Sequence, residues 1–155
     1  MNKEEKYQEL VAQVAAIVNG ESDEIANMAN VAAVLHEAFG FWWTGFYLVK
    51  PSAVSSHELV LGPFQGPIAC TRIPLGKGVC GTAWERGETV IVGNVHEFKG
   101  HIACSAESNS EIVVPIRKAK GGKSEVTGVL DIDSKEFNTF DETDKKYLEE
   151  IVRLL

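Results

Sequence analysis

Apolar residues recur every three or four positions in the first part of the chain and predict two amphipathic helices. The first helix is predicted to end at Gly20, and the second to begin after the capping segment 22–24 and to stop near Gly40. The apolar stripes are Tyr7, Leu10, Val11, Val14 and Val18 in the first and Ile25, Met28, Ala29, Ala32 and Leu35 in the second. Packing against a core explains both stripes. The alternative is that the two helices lie along the interface of a homodimer.

The middle of the chain has short runs of β-branched and aromatic residues that predict about six strands. The predicted strands are 41–49, 57–61, 68–73, 89–92, 110–117 and 126–133. A glycine- and proline-rich loop at 62–67, a short helix at 82–86, a long irregular segment at 94–111 and a turn at 120–123 separate them. Thr139 and Glu142 have the spacing of a capping box for a last helix with an apolar stripe from Tyr147 to Leu155.

This order of elements predicts an α+β fold. Because several connections between strands are tight turns, most of the sheet should be antiparallel. Helices at both ends of the chain are expected to pack together on one face of that sheet.

Composition excludes several classes of function. The chain has 155 residues, of which 45% are hydrophobic and 24% charged, and a net charge of -7. An acidic chain is a poor match for nucleic acid, which is bound through basic surfaces. No apolar run approaches the roughly 20 residues of a membrane span, and the charged N-terminal segment is not a signal peptide. We therefore expect no nucleic-acid or membrane partner and a cytoplasmic location.

Three cysteines, Cys70, Cys80 and Cys104, are the first candidates for chemistry. Cys80 directly precedes a predicted helix, whose dipole would favour a thiolate. Cys104 lies in the long irregular segment, with His96 and His101 nearby in sequence. Local physics does not rank Cys104 above Cys80, and burial as small apolar side chains is the alternative for all three. The spacing contains neither a CxxC motif nor a paired zinc knuckle.

Acidic residues provide a second set of candidates. Asp131 and Asp133 lie two positions apart on a predicted strand, so their side chains should face the same side. Glu111 precedes another strand and is expected to converge on the same place. Such a group would bind an ammonium ion or act as a proton donor with a raised pKa, and a solvated strand end is the alternative.

Two further interpretations depend on side chains outside this acidic group. Trp43 and Tyr47 are most often core residues at such positions, although they could also form the wall of a small-molecule pocket. A metal site made of His96, His101 and Cys104 with one of the aspartates would not have a standard zinc spacing.

The chain closely resembles the free methionine-(R)-sulfoxide reductases, which are built on a GAF domain. The resemblance covers nearly all of the sequence and implies a single GAF domain over residues 1–155. It is carried by the segments 43–47, 62–70, 72–74, 76–81, 100–104, 108–113 and 128–134.

The resemblance also implies a role for each candidate. Cys104 matches the cysteine that attacks the sulfoxide sulfur and becomes a sulfenic acid, and Cys70 matches the cysteine that resolves it as a disulfide. Cys80 matches a third cysteine that can act as an alternative resolver. Trp43 and Tyr47 match aromatic residues of the substrate pocket. Three acidic residues match the carboxylates that hold the ammonium group of the substrate and help to protonate the sulfoxide oxygen, namely Glu111, Asp131 and Asp133.

The function implied is reduction of free L-methionine-(R)-sulfoxide without a bound cofactor or metal. Thioredoxin would reduce the disulfide, and NADPH would supply its electrons indirectly. The alternative is a non-catalytic GAF module that senses a small ligand or the redox state.

Overall fold

The computed structural model describes residues 1–101 and 107–155. In this part of the chain, four α-helices pack on one six-stranded sheet, as the α+β prediction requires. The helices are α1 (Lys3–Val18), α2 (Glu24–Phe39), α3 (Gly78–Arg86) and α4 (Glu142–Arg153). The strands are β1 (Trp43–Pro51), β2 (His57–Gln65), β3 (Arg72–Ile73), β4 (Val90–Val92), β5 (Ser110–Lys120) and β6 (Lys123–Ser134).

The predicted start and end of the second helix are confirmed by its caps, whereas the first helix ends at Val18, before the predicted Gly20. Asp23 accepts a hydrogen bond from the backbone N–H of Ala26 at 2.8 Å and so satisfies one of the unpaired donors at the start of α2. Gly40 ends α2 with a φ of 66°, in the left-handed region that glycine adopts without strain. The predicted stripe of α2 is wrong at Ile25 and Ala29, which are exposed. The buried residues of α2 are Asn27, Met28, Val31, Ala32 and Leu35.

The predicted cap of the last helix is also wrong. Asp141, rather than Thr139, is the N-cap of α4, and it accepts hydrogen bonds from the backbone N–H groups of Thr143 and Asp144. The carboxylate of Asp144 completes the capping box by accepting from the backbone of Asp141 at 2.8 Å. An aspartate can replace the usual Glu or Gln at this position because it also makes the reciprocal bond.

The strands follow the order β3-β2-β1-β6-β5-β4, and every neighbouring pair is antiparallel. The hairpin between β5 and β6 turns at Gly121 and Gly122, where φ is 59° and 79°. Two consecutive positive φ angles match the twist of the flanking strands, which is why glycines occupy both positions. The predicted turn at 120–123 is confirmed.

Most predicted strands differ from the observed ones by a few residues at one or both ends, and two of these differences change the surroundings of the site. Strand β2 continues through Gly62 and Pro63 to Gln65, because a bulge in the pairing with β1 accommodates the proline that lacks a donor. Strand β3 is only two residues long, so Cys70 lies in the loop before it.

The two faces of the sheet have different partners. Phe46, Leu130 and Ile132 face a core shared with α1, α2 and α4, because successive residues within a strand point to opposite faces of the sheet. Tyr47 and Val129 face the second side, where α3 packs. Asp131 and Asp133 continue the row of Val129 on this second side.

The terminal helices pack against each other, as predicted. The hydroxyl of Tyr7 in α1 donates to Asp144 at 2.6 Å, and Lys3 forms an ion pair with the same carboxylate at 2.7 Å. The rings of Tyr7 and Tyr147 stack with their centroids 5.4 Å apart. None of the helices in the described part of the chain is long and apolar enough to cross a membrane.

Candidate active site

A cavity of about 60 Å³ lies on the second face of the sheet, beneath the start of α3. It brings together six of the eight residues proposed from the sequence, namely Trp43, Tyr47, Cys80, Glu111, Asp131 and Asp133. Cys70 is not among the residues that line it, although its neighbour Ala69 is. Cys104 lies outside the described residues.

Strand pairing places the three acidic side chains together. Glu111 on β5 is the direct partner of Asp133 on β6, and Val113 is the partner of Asp131. Directly paired residues of antiparallel strands project from the same face, and so do residues two apart on one strand. Twenty or more residues separate Glu111 from the aspartates in sequence, but the sheet makes them neighbours.

The acidic side chains are buried, and no basic side chain in the described part of the chain forms an ion pair with them. Glu111 is 6% exposed and Asp131 is 5% exposed. One oxygen of Asp131, Oδ1, is buried and has no hydrogen-bond partner among the described residues. A buried polar atom without a partner is costly, so this oxygen marks a place where a ligand can bind.

Burial also changes how these groups titrate. Loss of hydration raises the pKa of Glu111 and of Asp133 well above the ordinary carboxyl value, and the charge of Asp131 adds to the rise. Burial raises the pKa of Asp131 as well, although hydrogen bonds with Glu111 and Cys80 oppose the rise. Adjacent carboxylates in a dry site cannot all be ionised easily, so the group holds protons at a pH at which exposed acids have lost them.

The raised pKa of Glu111 predicts a stabilising substitution. Above the ordinary carboxyl pKa of about 4.3, the unfolded chain releases this proton more readily than the folded chain does, so stability falls as pH rises towards the folded pKa. Glu111→Gln removes the titrating group. We expect the substitution to raise the free energy of unfolding at pH 7 by about 1 kcal/mol or more. For a chain of this size, each kcal/mol corresponds to a rise in Tm of about 2–4 °C. Near pH 4 the variant and the parent protein should differ little. Thermal unfolding at both pH values measures this.

Glu58 provides the matched control for that experiment. It is also buried, at 7% exposure, but its carboxylate is paired with Arg72 at 2.8 Å. Glu58→Gln should therefore not raise Tm at pH 7. A lower Tm for Glu111→Gln at pH 7 would contradict the electrostatic cost that we assign to Glu111.

Aromatic rings form the other wall of the cavity. Trp43 stacks with Phe64 at a centroid distance of 5.2 Å and with Tyr47 at 5.9 Å. Its indole N–H donates to the carbonyl of Pro67 at 3.0 Å, which fixes the ring plane. Gly45 leaves room for this ring, since a Cβ there would lie 2.6 Å from Cη2 of Trp43. Trp43 is therefore a rigid apolar surface beside the acidic side chains.

The structure corrects the prediction that a helix dipole makes Cys80 reactive. Cys80 is not before the helix but inside α3, and it is 4% exposed. Burial raises the pKa of its thiol well above the ordinary value, and the charges of Asp131, Glu111 and Asp133 raise it further. Its Sγ lies 4.0 Å from Oε2 of Glu111. Burial and the neighbouring carboxyl groups therefore disfavour the thiolate of Cys80, which is the reactive form.

Cys70 lies in a different environment. It is half-buried in the loop before β3 and is disulfide-bonded, whereas Cys80 is a free thiol. The hydroxyl of Tyr47 donates to the backbone carbonyl of Cys70 at 2.8 Å. Burial raises the pKa of Tyr47, and the charge of Asp131 adds to the rise, so the hydroxyl remains a donor. Tyr47 thus connects the aromatic wall of the cavity to the loop that carries Cys70.

Several lining residues were not proposed from the sequence. Ser108 donates a hydrogen bond to Oδ1 of Asp133 at 3.2 Å, and Lys77 is a basic residue at the exposed edge of the cavity. The remaining ones are Trp42, Pro67, Ile68, Ala69, Ile73, Gly78 and Val79, and His101, which the sequence offered only as a neighbour of Cys104 and a possible metal ligand, lines the cavity as well. The strand register and the start of α3 bring these residues to one place. All of them except Trp42 lie in the segments that carry the resemblance described above, which is the signal that the sequence offers for them.

Of the metal set considered from the sequence, the histidines lie within the described residues, whereas Cys104 lies outside them. His96 is exposed, its ring is paired with Asn109 at 2.8 Å, and it does not line the cavity. His101 does line the cavity, and burial together with His96 lowers the pKa of its ring. The described residues that could jointly hold a metal ion are instead Cys80, Glu111 and Asp131.

The chain is similar to known proteins over nearly all of its length. The pattern of the GAF domain family matches residues 22–155. The chain is 54% identical to GAF domain-containing protein A of Dictyostelium discoideum over 99% of the chain and 92% of that protein. It is 46% identical to the free methionine-R-sulfoxide reductase of Escherichia coli over 100% of the chain and 89% of that protein.

A solved structure is similar over nearly the whole chain. It is the free methionine-R-sulfoxide reductase of Neisseria meningitidis in complex with its substrate, which is 52% identical. The two superpose with a TM-score of 0.90, covering 99% of this chain and 88% of the other.

Proposed function

The chain belongs to the free methionine-R-sulfoxide reductases, a family of oxidoreductases built on the GAF domain, and we propose that it reduces free L-methionine-(R)-sulfoxide to L-methionine. The observation that carries this proposal is the unpaired buried oxygen of Asp131 within an acidic group that faces a tryptophan across one cavity. The arrangement has one part for an ammonium group and another for an apolar side chain.

The acidic group selects a free amino acid. A free amino acid has an ammonium group, which supplies both a positive charge and hydrogen-bond donors for Asp131 and its neighbours. A methionine sulfoxide inside a peptide has an amide in its place and would leave the buried carboxylates unpaired. Lys77 and His101 are the basic side chains that line the cavity, and they are available to the α-carboxylate.

The aromatic wall holds the reacting end of the substrate. The flat, buried face of Trp43 suits the methyl group on sulfur, whereas the sulfoxide oxygen requires a hydrogen-bond or proton donor. A carboxyl group with a raised pKa can supply that proton at neutral pH. These two requirements, on different substituents of sulfur, are the basis for a preference between its epimers.

Cys104 is the proposed nucleophile. Its thiolate attacks the sulfoxide sulfur, the oxygen is transferred to the cysteine as a sulfenic acid, and the thioether of methionine leaves. Residues on both sides of it, His101 and Ser108, line the cavity. Three residues span at most about 11 Å, so Cys104 can reach the cavity from His101.

Cys70 is the proposed resolving cysteine. Its thiol condenses with the sulfenic acid, which forms a disulfide and releases water. Support comes from its half-buried position, its disulfide-bonded state and the burial of Cys80, which disfavours the Cys80 thiolate. Cytoplasmic thioredoxin then reduces the disulfide by thiol exchange. Thioredoxin reductase returns the oxidised thioredoxin to its dithiol form with electrons from NADPH.

A coupled assay tests the function. Oxidation of NADPH is followed with thioredoxin, thioredoxin reductase and each sulfoxide epimer, free and within a peptide. We expect turnover of the free R epimer and at least about 100-fold lower kcat/KM for the peptide-bound form. Equal turnover of both forms would contradict the ammonium site. Binding of the free sulfoxide without turnover would favour the non-catalytic alternative.

A further inference from the structure

A thiol and two carboxyl groups converge at the inner end of the cavity. Ligand atoms of Cys80, Glu111 and Asp131 all lie within 4.8 Å of one another, and all three side chains are buried. We propose that this cluster also binds a divalent zinc-type cation and that the cation blocks the site to the amino acid. The blocking step rests on the proposed function, whereas the cation site does not.

The unpaired oxygen of Asp131 indicates that the cluster accepts a cation. A buried acidic group can be stabilised by internal hydrogen bonds, but Oδ1 of Asp131 has no partner among the described residues. The side chain is 5% exposed, so bulk water does not satisfy it freely. A metal ion would bind this oxygen directly and would neutralise the charge of the neighbouring carboxylate.

The distances suit a small tetrahedral ion. Zinc binds sulfur at about 2.3 Å and carboxylate oxygen at about 2.0–2.2 Å, so its sulfur and oxygen ligands lie about 3.6 Å apart. Sγ of Cys80 is 4.0 Å from Oε2 of Glu111. Small side-chain rotations therefore bring these atoms to bonding distance.

The donor set selects among metals. Magnesium and calcium prefer oxygen ligands alone, whereas a thiolate favours zinc and chemically similar ions. Cys80 is the ligand that makes this distinction, and it is the thiol for which the proposed reaction has no required step. The carboxylates that would hold zinc are those proposed to hold the substrate ammonium, so zinc and free methionine sulfoxide should exclude each other.

Direct binding measurements test the site. The reduced, chelator-treated protein is titrated with zinc chloride by calorimetry, in a reductant that does not chelate metals. We expect one zinc per chain, and a higher apparent Kd when free methionine sulfoxide is present. With cobalt(II) as the probe, a cobalt–thiolate charge-transfer band should appear.

Variants identify the ligands. Cys80→Ser should weaken zinc binding by at least about 100-fold and abolish the cobalt–thiolate band, and Asp131→Asn should weaken binding while retaining the band. His96→Ala and Cys70→Ser are the controls and should bind zinc like the parent protein. Cys104→Ser should do so as well.

The outcomes separate this inference from the proposed function. Absence of zinc binding, or binding that persists in Cys80→Ser, overturns the cation site even if the enzyme reduces free sulfoxide. Loss of binding in Cys104→Ser or His96→Ala overturns it too, because the metal would then have other ligands. If zinc binds through Cys80 while the sulfoxide assay fails, the cation site stands and the proposed function falls.

Discussion

Cys104→Ser should reduce sulfoxide turnover to the uncatalysed background, whereas Cys70→Ser should still produce about one methionine per chain and then stop. A serine hydroxyl is a weak nucleophile at neutral pH and cannot take up the sulfoxide oxygen as a sulfenic acid. Without Cys70, the first step still occurs, but the sulfenic acid has no proposed partner from which to form a disulfide. Methionine released per chain, with and without thioredoxin, measures both expectations.

Cys80→Ser is the matched control for this pair of variants. Cys80 is inside α3, buried, and has a thiol pKa raised by burial and by three neighbouring carboxyl groups. We therefore expect its serine variant to continue through many turnovers with thioredoxin. If Cys80→Ser stopped after one methionine and Cys70→Ser did not, the resolving role would belong to Cys80. A sulfenic-acid reagent that labels Cys70→Ser but not Cys104→Ser after substrate addition would confirm the order of steps.

Much of the fold could be predicted from local patterns. The first two helices follow from their apolar spacing and from Asp23 and Gly40, because caps are determined by a few neighbouring residues. The turn at Gly121 and Gly122 follows from a local need for positive φ. The strand boundaries near Pro63 and Cys70 could not be predicted in the same way. The boundary near Pro63 depends on a bulge in the pairing of β2 with β1, and the boundary near Cys70 depends on the pairing of β3 with β2, so neither is determined by local sequence.

The candidate site shows the same division. The spacing of Asp131 and Asp133 predicts a shared face, and both line the cavity. The pairing of Glu111 with Asp133 depends on the register of β5 against β6. The state of Cys80 could not be predicted either, because the carboxyl groups that raise its pKa come from two other strands. From the local sequence alone, a helix dipole was expected to make Cys80 a reactive thiolate. The tertiary structure instead buries Cys80 beside three acidic side chains.

Asp131→Asn should lower kcat/KM for free methionine-(R)-sulfoxide by about 100- to 1,000-fold. The carboxylate has a buried, unpaired oxygen, and the proposed partner of that oxygen is the substrate ammonium. Removing one member of a buried ion pair costs about 3–5 kcal/mol, because the other charge is left without compensation. Part of this cost remains compensated by Glu111 and Asp133 in the same cavity, so the expected loss lies at the lower end of that range.

Stability separates this effect from misfolding. Asparagine has nearly the same shape as aspartate, and the substitution removes a buried carboxyl group whose pKa is raised by burial. We therefore expect the variant to be at least as stable as the parent protein at pH 7 while it loses activity. A gain in stability together with a loss of function is typical of groups that are retained for binding rather than for folding.

The substrate provides the decisive comparison. N-acetylation removes the ammonium charge, so the parent enzyme should discriminate against N-acetylmethionine sulfoxide by at least about 100-fold in kcat/KM. Asp131→Asn should reduce this discrimination strongly, because the variant lacks the carboxylate proposed to bind the ammonium group and retains only the weaker contribution of Glu111 and Asp133. Asp141→Asn, which changes an exposed carboxylate at the start of α4, should leave the ratio as it is in the parent enzyme. If Asp131→Asn lowered activity equally for both substrates, Asp131 would not be the group that recognises the ammonium.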